Sequence, residues 1–387
     1  MVHFQFVQSV KLLFGPGSIG QLGEIMKLDN AKKTFIATDE GIVKAGIAKK
    51  VTDALDSAGA KYVVFDKILP DAPDYLAEEA YEEFKKQGCD FLIAIGGGST
   101  IDSAKAINLL RANPGPLKPY AEMNFSDKIK KANGFICIPT TAGTGSELSN
   151  GIILSDSTHA KYSLLNPLYL PDYAVLDPTL LTGTPKHITA STGYDALSHV
   201  CEGVLSKFGN TMGDVLAIGV ARNIVKWLPV AYRDGGNIEA RSNMLANSCW
   251  GGWSLMNVLA NTGHSYAHVL GSMFRVPHGY GCAYALPWVT EFNAIEWPDK
   301  VKLIGESVFD LKLDKATPAE IGAEVRKVMM HLRDEVLEIK PAKEYAQPDD
   351  ATLQEASARI LKEPFQMFNP RDMNLKQARE IFDKIFA

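Results

Sequence analysis

Asp195 and His199 stand four residues apart, and His264, His268 and His278 follow later in the chain. Residues i and i+4 of a helix share a face, so the Asp195 carboxylate and the His199 imidazole can reach one ion. The text around them, STGYDALSHVCEGVLSK, has helical apolar spacing and no internal proline. His264 opens GHSYAHVLGSMFRVPHG, in which His268 lies one turn further on and His278 follows a proline. A single histidine on an apolar face is ordinarily a packed ring with satisfied nitrogens. Here four of the eight histidines fall between 199 and 278 beside an aspartate, and the set reads as metal ligands: Asp195, His199, His264 and His278. Nitrogen and oxygen donors without a thiolate suit Fe, Zn, Mn, Ni or Co rather than Ca or a sulfur cluster. The five cysteines, Cys89, Cys137, Cys201, Cys249 and Cys282, form no CxxC pair and are scattered, as in a reduced intracellular protein. They are expected to take no part in the metal site.

A divalent ion held by three neutral imidazoles and one carboxylate keeps a net positive charge, which stabilises an alkoxide or polarises an aldehyde oxygen. His268, one turn from His264, is then the candidate proton relay. The competing reading is a histidine that only packs behind the ligands.

Two further segments suit a nucleotide. FLIAIGGGSTIDSAKAI places a buried strand, then Gly96, Gly97, Gly98 and Ser99, then a helix, an arrangement that lets a pyrophosphate approach free N–H groups at a helix start. The spacing is neither GxGxxG nor a Walker loop, and three glycines also suit turn geometry alone. IPTTAGTGSE follows another strand and offers the hydroxyls of Thr140, Thr141 and Thr144. Asp39 ends the strand TFIATD at the carboxyl edge, where ligands of α/β sheets bind. A carboxylate there accepts from ribose hydroxyls and repels a 2'-phosphate, favouring NAD over NADP; the alternative is an aspartate that caps the next helix.

These residues need two supports. A chain of 387 residues is long for one core, so two domains are expected, 1–183 and 184–387. In the first, TFIAT, KYVVF, FLIAI, GFICIP and YAVLD are strand candidates alternating with helices, the pattern of a mainly parallel sheet. After TGTPKH, helical periodicities run over 191–207, 211–232, 238–260 and 317–337, giving an all-α second domain that holds the whole metal set. The N-terminal VHFQFVQSVKLLFG alternates like a strand at Phe4 and Phe6 and lacks the pattern of a signal peptide. ANPGPLKP, 112–119, reads as a surface loop. No uninterrupted apolar run approaches a bilayer's thickness, and the net charge of -5 is spread through both halves, so neither membrane nor nucleic acid is an expected partner. A cytoplasmic enzyme is expected.

In combination, LLFGPGSIGQLG, GGGSTIDSAKAI, IPTTAGTGSE, HAKYSLLNP, STGYDALSHVCEG, GHSYAHVLG, VPHGYGCAYALP and FNPRDMN resemble the iron-containing, or group III, alcohol dehydrogenases over nearly the full chain. The resemblance implies an α/β dinucleotide-binding domain followed by an all-helical domain, the fold shared with dehydroquinate synthase. It implies NAD(H) and a divalent metal, foremost Fe(II), with hydride transfer between nicotinamide C4 and C1 of a small alcohol or aldehyde, in a homodimer or larger assembly. Asp195, His199, His264 and His278 match the family's metal ligands, and His268 its further active-site histidine. Gly97, Gly98 and Ser99 match the pyrophosphate loop, while Asp39, Thr140, Thr141, Thr144, Lys161 and Leu180 fall at cofactor-contacting positions. Polyol dehydrogenases and a dehydroquinate-synthase-type lyase share the same framework as alternatives.

The chain departs from the family pattern at Asp71, where an amide is usual, and at Asn261, Ser265 and Tyr266, where smaller residues are common. It departs also at Leu255 and at Arg275. These departures predict a pocket unlike that of the best-known diol or ethanol enzymes. Arg275, three residues before His278, would favour an anionic aldehyde if it reached the site. The alternative is that it faces solvent.

Overall fold

The computed structural model describes residues 8–158 and 160–387. The expected strand at Phe4 and Phe6 lies outside the described residues. The chain forms two compact units: Gln8–Thr184 with Gly236–Cys249, and Pro185–Gly235 with Trp250–Ala387.

The α/β unit contains strands β1 (Lys11–Phe14), β2 (Thr34–Ala37), β3 (Tyr62–Phe65), β4 (Phe91–Gly96), β5 (Phe135–Pro139), β6 (Gly151–Ser155), β7 (Lys161–Leu165) and β8 (Tyr173–Leu176). Its helices are α1 (Leu22–Leu28), α2 (Glu40–Lys44), α3 (Ile47–Ser57), α4 (Asp74–Lys86) and α5 (Gly98–Ala112). Six strands form one sheet in the order β1-β8-β5-β4-β2-β3, with every pair parallel. FLIAIG and FICIP are buried at every position, because central strands of a parallel sheet are covered on both faces by the crossover helices. All five predicted strands are present. The antiparallel pair β6–β7 was not anticipated, since GIILS is a short apolar run with no alternation to mark it as a strand.

The ends of β2, β4 and β5 lie side by side and deliver Asp39, the glycines 96–98 and Thr140 to one edge of the sheet. The sheet order thus brings together three segments that are far apart in sequence.

Helices α6 (Lys186–Val204), α7 (Thr211–Arg233), α9 (Thr262–Phe274), α10 (His278–Asn293), α11 (Pro298–Phe309), α12 (Pro318–His331), α13 (Asp350–Ile360) and α14 (Leu375–Phe386) build the helical unit. Between α7 and α9, α8 (Ile238–Asn257) contributes to both units. The central helix is α10, packed on α6, α9 and α12. It lies so close to α9 that a Cβ on Gly281 would stand 2.9 Å from Ala267 Cα, which fixes the axial position of everything α10 carries.

By length and composition α7 is apolar enough to cross a bilayer, although Asp214, Arg222 and Lys226 interrupt its apolar run. It packs along α6 and α11, and Asp214 pairs with Lys300 of α11.

Candidate metal and cofactor sites

Asp195 and His199 project from one face of α6, as i and i+4 must. The Asp195 Oδ1 atom lies 3.5 Å from His199 Nε2, 3.8 Å from His264 Nε2 and 3.6 Å from His278 Nε2. Donors bound to one ion at 2.0–2.2 Å in a tetrahedral shell stand about 3.3–3.6 Å apart; Asp195, His264 and His278 have donor atoms within 4.8 Å of one another and fit a common metal, while His199 joins them through its approach to Asp195. Three helices supply them: α6 gives Asp195 and His199, the first turn of α9 gives His264, and the first residue of α10 is His278. Pro277 precedes it as an N-cap, a position where the missing proline N–H leaves no helical partner unmet. Asp195, His199 and His264 are almost fully buried, while the His278 side chain is 33% exposed.

Glu202 completes the arrangement and was not singled out in the sequence. Its Oε1 lies 2.9 Å from His264 Nδ1, and its Oε2 accepts from the backbone N–H of Asn261 at 2.9 Å and of His264 at 3.1 Å. A carboxylate on Nδ1 fixes the tautomer that leaves Nε2 as the metal donor. Burial lowers the basicity of His264, yet attraction to Glu202 and Asp195 more than offsets it and raises the ring's pKa. The available signal was spacing: Glu202 is seven residues, about two turns, after Asp195 on α6.

The expectation that no cysteine approaches the metal site is corrected by Cys282. Its buried Sγ lies 3.4 Å from Asp195 Oδ1, 3.7 Å from His278 Nε2 and 3.9 Å from His264 Nε2. It stands one turn after His278 on α10, the same spacing that marked Asp195 and His199.

His268 lies beyond the ligands on α9, its ring centroid 5.8 Å from that of His278 and 5.5 Å from that of Phe365. Its Nδ1 is 3.0 Å from Glu363 Oε2, a contact no local pattern could reveal.

In the α/β unit the glycine loop and the threonine loop meet. A Cβ on Gly98 would lie 2.6 Å from Thr144 Cγ2, and one on Gly97 would lie 3.3 Å from Thr141 Oγ1. Thr140 is 3% exposed, and its hydroxyl has no hydrogen-bond partner among the described residues. Ser99 Oγ accepts from the Asp71 N–H at 3.2 Å, and Asp71 Oδ1 pairs with Lys161 Nζ at 2.9 Å. Leu180 is buried in the turn Pro178–Leu180. Asp39 does cap α2: Oδ1 accepts from the Ile42 N–H at 3.0 Å, while Oδ2 accepts from Thr100 Oγ1 at 3.2 Å. Its side chain is thereby oriented against the start of α5. Close backbone approach, a helix start and an unmet buried hydroxyl fit a dinucleotide.

Beneath these loops lies a buried ionic network. Lys105 Nζ donates to Ser146 Oγ and the Ser149 carbonyl, each at 2.9 Å, and to the Gly151 carbonyl at 2.8 Å. Ser146 Oγ also bonds to Asp102, whose second oxygen accepts from the Ile153 N–H at 3.0 Å. Burial lowers the Lys105 pKa and raises that of Asp102, with the mutual attraction opposing both shifts.

Two predicted pocket residues instead stabilise the interior of the helical unit. Asn261 caps α9 and donates to the Glu202 and Leu205 carbonyls at 3.2 and 3.3 Å. Tyr266 is fully buried and donates to the Ala378 carbonyl at 2.9 Å. Arg275 is exposed and adopts the left-handed C-cap of α9, with φ 55°.

Residues 9–178 match the iron-containing alcohol dehydrogenases, and residues 189–386 match the C-terminal part of the Fe-containing alcohol dehydrogenase family. The chain belongs to this family of oxidoreductases, which use NAD(H) and a divalent metal. It is 33% identical over 385 residues to the 1,3-propanediol dehydrogenase of Citrobacter freundii, covering 96% of each chain. To the NAD-dependent methanol dehydrogenase of Bacillus methanolicus it is 33% identical over 316 residues, covering 80% of this chain and 82% of that protein. A crystal structure of a 1,3-propanediol oxidoreductase superposes with a TM-score of 0.94 at 28% identity, covering all of both chains.

Proposed function

We propose that this enzyme interconverts a short, uncharged alcohol with its aldehyde, using Asp195, His199, His264 and His278 to hold the metal. The observation that carries the reading is the approach of three imidazole nitrogens to one oxygen of Asp195, at 3.5–3.8 Å. An anionic substrate is disfavoured because Arg275 is exposed rather than sequestered, and the uncharged reading follows the relatives at 33% identity named for propanediol and methanol rather than the one at 32% named for choline.

When bound, the metal would polarise the substrate oxygen, and the nicotinamide would exchange a hydride with substrate C1. Glu202 keeps His264 in the ligating tautomer. His268, with Nδ1 on Glu363, has its other nitrogen available to take or return the hydroxyl proton. The N–H groups of Gly98 and Ser99 at the start of α5 hold the pyrophosphate, and the hydroxyls of Thr140, Thr141 and Thr144 bind along the nucleotide. Asp39 accepts from a ribose hydroxyl; Lys161 and Leu180 flank the cofactor. On this reading residues 1–183 are the NAD-binding domain and 184–387 the metal-binding, catalytic domain. A homodimer or larger assembly in the cytoplasm completes the proposal, supported by the family and by five buried cysteines, none of them in a disulfide.

The test is an NADH-linked screen on protein reconstituted separately with Fe(II), Zn(II), Ni(II) and Mn(II). Methanol, ethanol, 1,3-propanediol, their aldehydes and succinic semialdehyde are the substrates. Sustained, metal-dependent turnover of an uncharged member is expected. Turnover without metal, or selective turnover of the anion, overturns the proposal.

A further inference from the structure

We propose that Cys282 is itself a donor to the metal, adding a thiolate to the oxygen and nitrogen set and biasing the site toward Zn(II) and Co(II) over Fe(II) and Mn(II). This inference rests on the metal-site reading above and deepens it.

Three observations converge. The Sγ atom, Asp195 Oδ1 and the donor nitrogens of His264 and His278 all lie within 4.8 Å of one another, the spacing of atoms around a single ion. Metal–sulfur bonds run to about 2.3 Å against 2.0–2.2 Å for nitrogen and oxygen, so in a tetrahedral shell a sulfur donor stands about 3.6 Å from its neighbours. The Sγ distances, 3.4 Å to Asp195 Oδ1 and 3.7 and 3.9 Å to the two imidazole nitrogens, bracket that value. Finally, Cys282 cannot retreat: it is fully buried, and the neighbouring Gly281 presses directly against the Ala267 backbone.

Ligation replaces the S–H bond by a metal–sulfur bond and releases the proton to solvent, so the oxidation states of sulfur and metal do not change. A soft thiolate discriminates among ions that harder donors bind more alike, which is the source of the proposed selectivity.

Cobalt(II) makes the bond visible. Metal-free holo-length protein loaded with Co(II) is expected to show a near-ultraviolet sulfur-to-cobalt charge-transfer band, absent in Cys282→Ser and retained in Cys201→Ser. In anaerobic competition between equimolar Zn(II) and Fe(II), the bound Zn:Fe ratio of the wild type should exceed that of Cys282→Ser by about tenfold, the lower end of the range seen when metal-site partners are altered. Wild type that binds Co(II), shows ligand-field bands and lacks the charge-transfer band overturns the thiolate while leaving the metal centre intact. Failure of the wild type to bind Co(II) at all overturns both. Should Cys282→Ser not fold, the presence or absence of the band in wild type and Cys201→Ser decides the matter.

Discussion

At the carboxyl edge of its sheet the α/β unit offers backbone N–H groups and short hydroxyls, held from below by the Lys105–Asp102 network. The helical unit offers the tips of long side chains from three helices, held from behind by Glu202. On the proposed roles, one surface works because side chains are missing at Gly97 and Gly98, and the other because donor side chains converge on Asp195. They should therefore fail differently. Adding an atom damages the first, and removing one damages the second.

The sharpest test of that difference is His264→Ala, which removes a donor and leaves Glu202 without its ring partner. Bound metal should be lost and kcat/KM should fall at least about a thousandfold, since metal polarisation supplies several kcal/mol and each 1.36 kcal/mol is tenfold. NADH binding, measured by fluorescence titration, should persist; its loss would mean the two surfaces are not separable.

His268→Ala should lower kcat for alcohol oxidation by about a hundredfold and alter its pH profile, as removal of a general acid–base does. Metal content, read by elemental analysis, should be unchanged. Loss of metal equal to that in His264→Ala would add His268 to the ligands instead.

Gly98→Ala is the complementary insertion. Its new methyl would meet Thr144 Cγ2 at 2.6 Å, and overpacking of about 1–3 kcal/mol corresponds to roughly 5- to 150-fold weaker NADH binding. Metal content should not move. Wild-type NADH affinity in this variant would show that the glycine loop is not the pyrophosphate site.

A smaller effect is expected at Asp39. Replacing it with glycine removes the repulsion of a 2'-phosphate and should raise use of NADPH relative to NADH by about tenfold, within the range of a partly screened charge pair. The same change removes the side-chain cap of α2 at a cost of about a few tenths of a kcal/mol, so thermal denaturation should be followed alongside. A wild type that already prefers NADPH would refute the assignment. Least of all, Arg275→Ala should change kcat/KM for butanal and for succinic semialdehyde by less than about twofold, as exposed substitutions usually do. A selective loss on the anion would bring Arg275 into the site.

What the chain disclosed before its structure was known follows the same division. Asp195 with His199 and His264 with His268 were legible because a helix converts a spacing of four into a shared face. The central strands were legible because buried parallel strands are apolar throughout. Cys282 carries the same spacing from His278, but a lone cysteine on an apolar helix is ordinarily a packed core residue and gives no sign of a donor role. Glu363 was invisible: it meets His268 across 95 residues, through the fold alone. Lys105 was equally hidden, because a lysine in a helical pattern ordinarily marks a solvated face and here it marks the floor of a loop. Asn261 and Tyr266 looked like pocket variants because family position says nothing of which way a side chain is buried.

The uneven sealing of the ligands has a consequence for traffic. Three of the four predicted ligands are closed off, while the His278 side chain is one-third exposed. On the proposed ligand set an incoming ion should meet His278 first and a chelator should compete through that imidazole, so His278→Ala is expected to speed chelator-driven loss of the ion.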